Sequence, residues 1–325
     1  MKAVETGSTN VAAIKNINRR SKRLLDFRAQ LELGTMIWPG ILFIIVFNFI
    51  PLFGLVMAFK DYDPITGVKG IFTSPWNHFY HFKEMFRNFQ FWPMVKNTLG
   101  MNLLGALVSI PVTLLFALFL NEITSRKFKS FIQTITYLPH FLSWVIYGGL
   151  IITFLNPQEG IVNFLLVKLH LVDKPIEFLG DPHYFWGLMI VSGLLKDIGW
   201  GAILYLAAMA GVEQSLYEAA AIDGASRFKR MLHITLPGIL PTLMILIIFA
   251  ISGMLNNNFT QIYVMQNSLN MSASQVIDTY LYQIGLQQFQ FAAATAIGLL
   301  KSVFAVLLLV GANYASNRLT RSGLF

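Results

Sequence analysis

Long apolar stretches without charged residues run along most of the chain and predict membrane-spanning helices. A helix rises about 1.5 Å per residue, so crossing about 30 Å of hydrocarbon takes about 20 mostly apolar residues. Four charge-free stretches reach that length, at residues 33–59, 97–121, 130–158 and 231–277. The last is too long for one helix and its second half is polar, so we expect one span there, followed by an irregular segment.

Two further apolar stretches contain charged residues but are long enough to span a membrane. Lys196 and Asp197 interrupt the first, and Lys301 interrupts the second. The pattern therefore predicts an all-α polytopic membrane protein with a six-helix domain over 35–315, whose spans lie at about 35–59, 97–120, 131–155, 184–210, 239–256 and 291–315. Kinks are expected at the prolines near or inside these spans, namely Pro111, Pro139, Pro237 and Pro241.

Composition supports a membrane protein. Only 12% of the 325 residues are charged and 55% are hydrophobic, whereas soluble domains carry roughly 25% charge. This hydrophobicity also excludes a disordered chain. The absence of cysteine excludes disulfides and thiolate metal sites. The net charge of +8 is explained more simply by basic residues on one side of a bilayer than by nucleic-acid binding.

Basic residues are concentrated in alternate loops. The N-terminal segment 1–34, the loops 121–130 and 211–238 and the tail 316–325 hold 15 Lys and Arg, against 7 in the intervening loops. Because cytoplasmic loops carry such an excess, both termini are predicted to be cytoplasmic. The first apolar stretch starts too late and is too long for a signal peptide, so we expect the N-terminal segment to be retained. Its basic part, Lys15–Arg28, suits either an interfacial helix on anionic lipid or a solvated anchor for the first span.

The cytoplasmic loop 211–238 has the sequence of a helix-turn-helix. Residues 216–222 are strong helix formers, and Asp223-Gly224 is expected to end that helix because glycine tolerates positive φ. Ser226 can then cap a second short helix that ends at Pro237. Small residues and one carboxylate, Glu218, would be exposed on the first helix, which indicates a docking element.

The spacing in this loop resembles the EAA loop of ABC-importer permease subunits, at every position of the motif. The matching residues are Glu218, Ala219, Ala220, Gly224, Ile234, Leu236 and Pro237. Further segments resemble the branch of carbohydrate permeases that serves polysaccharide-derived oligosaccharides, most closely the alginate type. These segments are Phe59–Tyr62, Leu138–Trp144, Lys196–Gly201, Phe259–Tyr263 and Gly323–Phe325.

The resemblance implies a type I ABC importer permease fold and a set of partners in a bacterial cytoplasmic membrane. Two permease subunits would pair, two ATPase subunits would dock beneath them, and a periplasmic binding protein would deliver an oligosaccharide. By position, Glu218 would meet a basic residue of the ATPase, the face of Ala219 and Ala220 would fit its groove, and Gly224 would form the turn. For Asp223 and Arg227, a role in docking and a role in local capping or pairing are both open.

Motifs for catalysis are missing from the sequence. ATP hydrolysis needs the phosphate-binding loop G-x-x-x-x-G-K-[ST], and the nearest segment, Gly298–Ser302, lacks the second glycine. ATP and Mg²⁺ are therefore expected on a separate subunit, and this chain is expected to be non-catalytic. His78 and His81 lack a third ligand for a metal site, and no G-x-S-x-G nucleophile motif occurs.

Charged residues inside spans are costly and usually face a cavity or each other. An interhelical pair of Asp197 with Lys301, a role of Lys196, Asp197 and Lys301 in lining the path, and proton coupling are three alternatives. Trp200 lies on the same segment and is counted with the path. The excess of lysine would suit acidic sugars such as alginate, although it does not identify the substrate.

Sugar recognition uses amides, hydroxyls and aromatic faces. Such side chains cluster after the fifth predicted span, and they border either the substrate cavity or a surface that contacts the binding protein or the partner permease. They are Asn256, Asn257, Asn258, Gln261 and Tyr263. Two other hypotheses remain: an ion-coupled secondary transporter that uses Lys196, Asp197 and Lys301, and an assembly scaffold without transport.

Overall fold

The computed structural model describes residues 34, 35 and 37–320, including all of their side chains except those of residues 319 and 320. The predicted basic segment Lys15–Arg28 and the C-terminal motif Gly323–Phe325 lie outside the described residues. The chain divides into two units, one up to Met57 and one from Ala58 onward. Within the described part the secondary structure is helical, with one isolated bridge between Lys60 and Trp76.

The first unit contains most of helix α1 (Ile37–Phe59), which is long and apolar enough to span a membrane. Its middle is a π-helical turn, Ile45–Phe49, which ends two residues before Pro51. Proline cannot donate to the preceding turn and its ring collides with the carbonyl four residues back, so a wider turn relieves the collision.

The second unit contains the remaining helices, which are connected by short loops. They are α2 (Gly67–Thr73), α3 (Tyr80–Arg87), α4 (Phe91–Glu122), α5 (Arg126–Phe141), α6 (Trp144–Leu155), α7 (Ile161–Lys168), α8 (Pro182–Ala210), α9 (Gln214–Ile222), α10 (Arg227–Gly238), α11 (Leu240–Ser252), α12 (Phe259–Met265), α13 (Met271–Ser274), α14 (Ile277–Tyr282) and α15 (Phe291–Thr320).

Four described helices (α1, α4, α8 and α15) are single spans by length and composition, and two further spans are broken. The pair α5 and α6 bends by 103°, and the pair α10 and α11 by 61°. The span predicted over 131–155, in which a kink was expected at Pro139, therefore consists of two helices that meet at a sharp bend. A 3₁₀ turn that contains Pro139 leads into extended Leu142, and Ser143 then caps α6.

The second break lies at Ile239, between Pro237 and Pro241, so two of the four predicted proline positions flank one bend. The predicted fifth span extends to 256, but α11 ends at Ser252. The segment predicted to be irregular forms three short helices, α12, α13 and α14. Pro111, in contrast, lies inside the continuous helix α4.

Close packing of α8 against its neighbours organises the second unit. Helix α8 lies along α4 and α5, and buried side chains such as Phe185, Tyr205 and Ala202 fill the contacts. Gly199 permits the approach to α5, because a Cβ atom there would lie 2.4 Å from the carbonyl oxygen of Thr136.

Candidate functional site

The loop 211–238, which was predicted to be a cytoplasmic docking element, has the expected helix-turn-helix geometry. Helix α9 ends at Ile222, and Gly224 follows with φ of +73°. The N–H of Ala225 donates to the carbonyl of Ala220 at 2.9 Å, which closes the turn. A Cβ atom at Gly224 would meet no heavy atom within 4 Å. Glycine is therefore required here by backbone conformation and not by lack of space.

Ser226 starts the second helix as predicted, since its hydroxyl oxygen accepts a hydrogen bond from the N–H of Lys229 at 3.4 Å. The predicted end at Pro237 is one residue short of the observed end at Gly238. The predicted positions Ile234 and Leu236 lie inside α10 and are partly buried. Pro237 is exposed and lies two residues after the end of the π-helical turn Met231–Thr235.

The outer face of the loop is exposed. Glu218 and Ala219 are exposed, Ala220 is partly buried, and Ile222 is 87% exposed. Within the part of the chain that the structure describes, Glu218, Asp223 and Arg227 form no ion pair. The alternative of local ion pairing for Asp223 and Arg227 therefore has no support in this geometry.

One contact that holds the loop was missed by sequence reasoning. The Tyr217 hydroxyl lies 2.9 Å from the hydroxyl of buried Thr235, which ties α9 to α10. The available signal was the position of Tyr217 beside Glu218: an amphipathic side chain next to the exposed motif suits the inner face of the same helix.

A cavity of about 500 Å³ lies between α4, α8 and the segment from α11 to α12. Four of the residues predicted for the substrate path line this cavity, namely Asp197, Asn257, Asn258 and Gln261. The other five, Asn256, Tyr263, Lys196, Trp200 and Lys301, do not line it. Tyr263 instead forms an aromatic cluster with Phe259 and Tyr282, in which each pair of ring centres is 5.2 Å apart.

Helix α4 supplies polar lining residues that sequence reasoning missed. Asn102, Ser109 and Thr113 face the cavity. Their spacing of seven and then four residues places them on one face of a helix, and that spacing was the signal available in the sequence. Trp144 adds an aromatic ring to the lining.

The amides at the start of α12 are fixed in different ways. Gln261 is buried and its Nε2 donates to the carbonyl of Met189 at 2.7 Å and to the hydroxyl of Ser192 at 3.0 Å. Asn258 caps α12 by accepting from the N–H of Gln261. The Oδ1 atom of Asn257 is buried and has no hydrogen-bond partner among the described residues. An unpaired buried acceptor raises the free energy of the folded state by about 1–3 kcal/mol. A hydrogen-bond donor at this oxygen would therefore stabilise the structure.

Lys196 is buried and does not line the cavity. Its ammonium group donates to backbone carbonyls at the break between α5 and α6. Its Nζ donates to the carbonyls of Pro139 at 2.9 Å and His140 at 2.7 Å. The same atom lies 5.4 Å from the centre of the Trp144 ring. Broken helices leave carbonyls unpaired, and a lysine ammonium group supplies the donors that they need.

Asp197 and Lys301 do not pair with each other, so that predicted alternative is wrong. Asp197 Oδ1 lies 2.7 Å from Nδ1 of His140, whose ring stacks on Trp200 at 4.4 Å. Lys301 forms an ion pair with Asp278 on α14. Helix α15 packs against α11 and α14, which brings Lys301 to the helix that carries Asp278.

Metal binding has no geometric basis in the described residues, where no group of three or more His, Cys, Asp or Glu side chains is placed to hold an ion.

Comparison with known proteins decides the family. The sequence profile of the family described as "Binding-protein-dependent transport system inner membrane component" matches residues 109–321. The chain belongs to this family. Together with the helices long enough to cross a membrane, membership makes it a multi-pass membrane permease component, and the predicted all-α fold class is confirmed.

Relatives within the family agree with this assignment. The chain is 42% identical over 287 residues to Protein LplB of Bacillus subtilis (strain 168), covering 88% of this chain and 89% of the relative. It is 36% identical over 326 residues to the polygalacturonan/rhamnogalacturonan transport system permease protein YteP of the same organism, covering 100% of both chains.

Solved structures match most of the chain. A chain in the crystal structure of a bacterial ABC transporter involved in the import of the acidic polysaccharide alginate superimposes with a TM-score of 0.83 and 36% sequence identity, covering 92% of this chain and 99% of that chain. A chain of the bacterial alginate transporter in complex with an alginate pentasaccharide-bound periplasmic protein gives the same TM-score.

Proposed function

We propose that this chain is one permease subunit of an ATP-driven importer and forms part of the membrane path for an oligosaccharide. The observation that carries the proposal is the exposed helix-turn-helix at 214–238. Its Gly224 turn and its exposed Glu218 carboxylate suit a surface to which a separate ATPase subunit docks. The cavity lined by amides and hydroxyls, about 500 Å³ in volume, is in the range of small-ligand sites.

Import is driven by a separate ATPase subunit that binds ATP and Mg²⁺, since this sequence lacks a phosphate-binding loop. Glu218 makes the charged contact with that ATPase, and Ala219 and Ala220 permit close approach. Asp223 and Arg227 are at the exposed edge of the same surface. A second permease subunit and an extracellular binding protein complete the assembly, which lies in a bacterial cytoplasmic membrane with both termini of this chain on the cytoplasmic side.

The substrate class is supported by the relatives. One is named for transport of polygalacturonan and rhamnogalacturonan, and the solved structure belongs to an importer of alginate. Both substrates are polysaccharides. We therefore propose an oligosaccharide derived from a polysaccharide as the cargo of this chain.

An ion-coupled carrier is not favoured by the geometry. Such a mechanism needs ionisable groups that can exchange partners along a path, but Lys196 is held by two carbonyls and Lys301 by Asp278. Only Asp197 of the three lines the cavity.

Reconstitution tests the proposal. The chain is placed in vesicles with its second permease, its ATPase and its binding protein, and ATP hydrolysis and uptake of labelled oligosaccharide are measured together. We expect the loaded binding protein to stimulate both. Uptake driven by an ion gradient, in vesicles that lack the ATPase, would contradict the proposal.

A further inference from the structure

The charge of the cavity wall differs from the charge expected of a path for acidic sugars. Among the described residues that line the cavity, Asp197 is the only one with an ionisable side chain. The polar lining is otherwise uncharged and is supplied by Asn102, Ser109, Thr113, Asn257, Asn258 and Gln261. Neither an arginine nor a lysine side chain belongs to this lining.

The two lysines of the neighbouring spans are already occupied. Lys196 is 4% exposed and gives its N–H groups to the carbonyls of α5, and Lys301 gives its ammonium group to Asp278. A uronate carboxylate that leaves water needs a cationic donor in its place, usually a guanidinium or ammonium group. The part of the cavity lining that the structure describes offers none.

Asp197 is placed to contact cargo. Its side chain is 49% exposed, and only Oδ1 is used, for the contact with His140. No described residue donates a hydrogen bond to its Oδ2 atom, so that oxygen is free to accept one from a sugar hydroxyl.

We infer that this cavity selects neutral, hydroxyl-rich sugar units and disfavours uronate carboxylates, with Asp197 as the residue that determines this specificity. The inference rests on the proposed function, because it describes the cargo of the same path. Like charges repel in a site of reduced dielectric constant, whereas hydroxyls donate to a carboxylate in charge-assisted bonds. Although this chain shares its fold with importers of acidic polysaccharides, this cavity therefore suits a different, neutral cargo.

A matched pair of ligands tests the inference. Trigalacturonate and its trimethyl ester share the same sugar backbone, but the ester lacks the three negative charges. Binding of each to the intact importer complex without the binding protein is followed by tryptophan fluorescence, since Trp144 lines the cavity. We expect the ester to bind about tenfold more tightly than the acid, and added salt to narrow the difference because it screens the repulsion.

Substitution Asp197→Asn assigns the effect to this residue. Asparagine keeps an oxygen for the contact with His140, so the fold is expected to persist, and the preference for the ester should fall about tenfold through tighter binding of the acid. The control is Asp181→Asn. Oδ1 of Asp181 lies 2.8 Å from Nδ1 of His183 at the start of α8, the helix that also carries Asp197. Asp181 does not line the cavity.

Asp181 is a charged control. Hydrogen bonds from the backbone N–H and ring of His183 hold the pKa of its carboxyl below the ordinary value. Asp181→Asn should leave the preference unchanged. An acid that binds as tightly as its ester in the wild type, or a preference that survives in Asp197→Asn, would overturn the inference. If neither ligand binds and neither stimulates ATP hydrolysis when delivered by the binding protein, the proposed function itself fails.

Discussion

Three charged residues inside spans illustrate what sequence can predict at the scale of single residues. The cost of burying charge correctly indicates that Lys196, Asp197 and Lys301 need partners. The identity of those partners was not predictable. Lys196 donates to backbone carbonyls that are left without helical partners because α5 ends there. The partner of Lys301 is Asp278, which lies in the polar region after the fifth predicted span.

The pair of Lys301 and Asp278 should behave as a unit. The two side chains are 13% and 19% exposed, so removing one partner leaves a largely buried charge, at a cost of roughly 3–5 kcal/mol. We expect Asp278→Asn or Lys301→Met alone to lower the free energy of unfolding by that order, measured in mixed micelles of increasing SDS content.

Combining the two substitutions should recover most of the loss, because no unpaired charge then remains. Losses that simply add in the double variant would show that the two side chains do not interact.

At the scale of helices, apolar length predicted that a span exists, but not whether it is straight. Residues 130–158 form one uninterrupted uncharged stretch, yet the chain turns by 103° after Pro139. Hydropathy cannot show this break, because the donors that stabilise it come from Lys196 on another helix. Proline alone is not decisive either, since Pro111 lies within a continuous helix. The helix-turn-helix at 214–238 was predictable because the residues that indicate its turn and its second helix, Asp223-Gly224 and Ser226, lie within the segment itself.

The close approach of α8 to α5 depends on Gly199. A Cβ atom at Gly199 would lie 2.4 Å from the Thr136 carbonyl oxygen, and backbone cannot move aside as a side chain can. We expect Gly199→Ala to destabilise the fold by about 1–3 kcal/mol through overpacking, measured as a lower midpoint in thermal unfolding of the purified chain.

Gly187 is the matched control on the same helix, because a Cβ atom there would have no neighbour within 4 Å. Gly187→Ala should be neutral or stabilising by up to about 1 kcal/mol, since alanine favours helix. Equal destabilisation by both substitutions would contradict the role of Gly199 in helix contact.

At the scale of the whole molecule, the proposed function needs both this chain and its partners. The described residues provide a polar cavity and an exposed helix-turn-helix, and the proposed function assigns ATP hydrolysis to another subunit. Family and fold were predictable because the loop motif and the spans are encoded locally along the sequence. The cavity was only partly predictable: it combines residues of α4, α8 and α12 that are far apart in the chain, so Asn102, Ser109 and Thr113 were missed.

In the proposed function, the turn at Gly224 transmits ATPase motion to the membrane path. Gly224→Val places a β-branched residue at φ of +73°, which costs of order 1–3 kcal/mol and distorts the turn. Gly67→Val is the control, because Gly67 has φ of +59° and equally open surroundings at the start of α2.

The decisive measurement is the number of oligosaccharides imported per ATP hydrolysed in reconstituted vesicles. We predict that this ratio falls at least about tenfold in Gly224→Val, equivalent to about 1.4 kcal/mol of lost coupling, while the Gly67→Val complex keeps the wild-type ratio. A wild-type ratio in Gly224→Val would contradict the account.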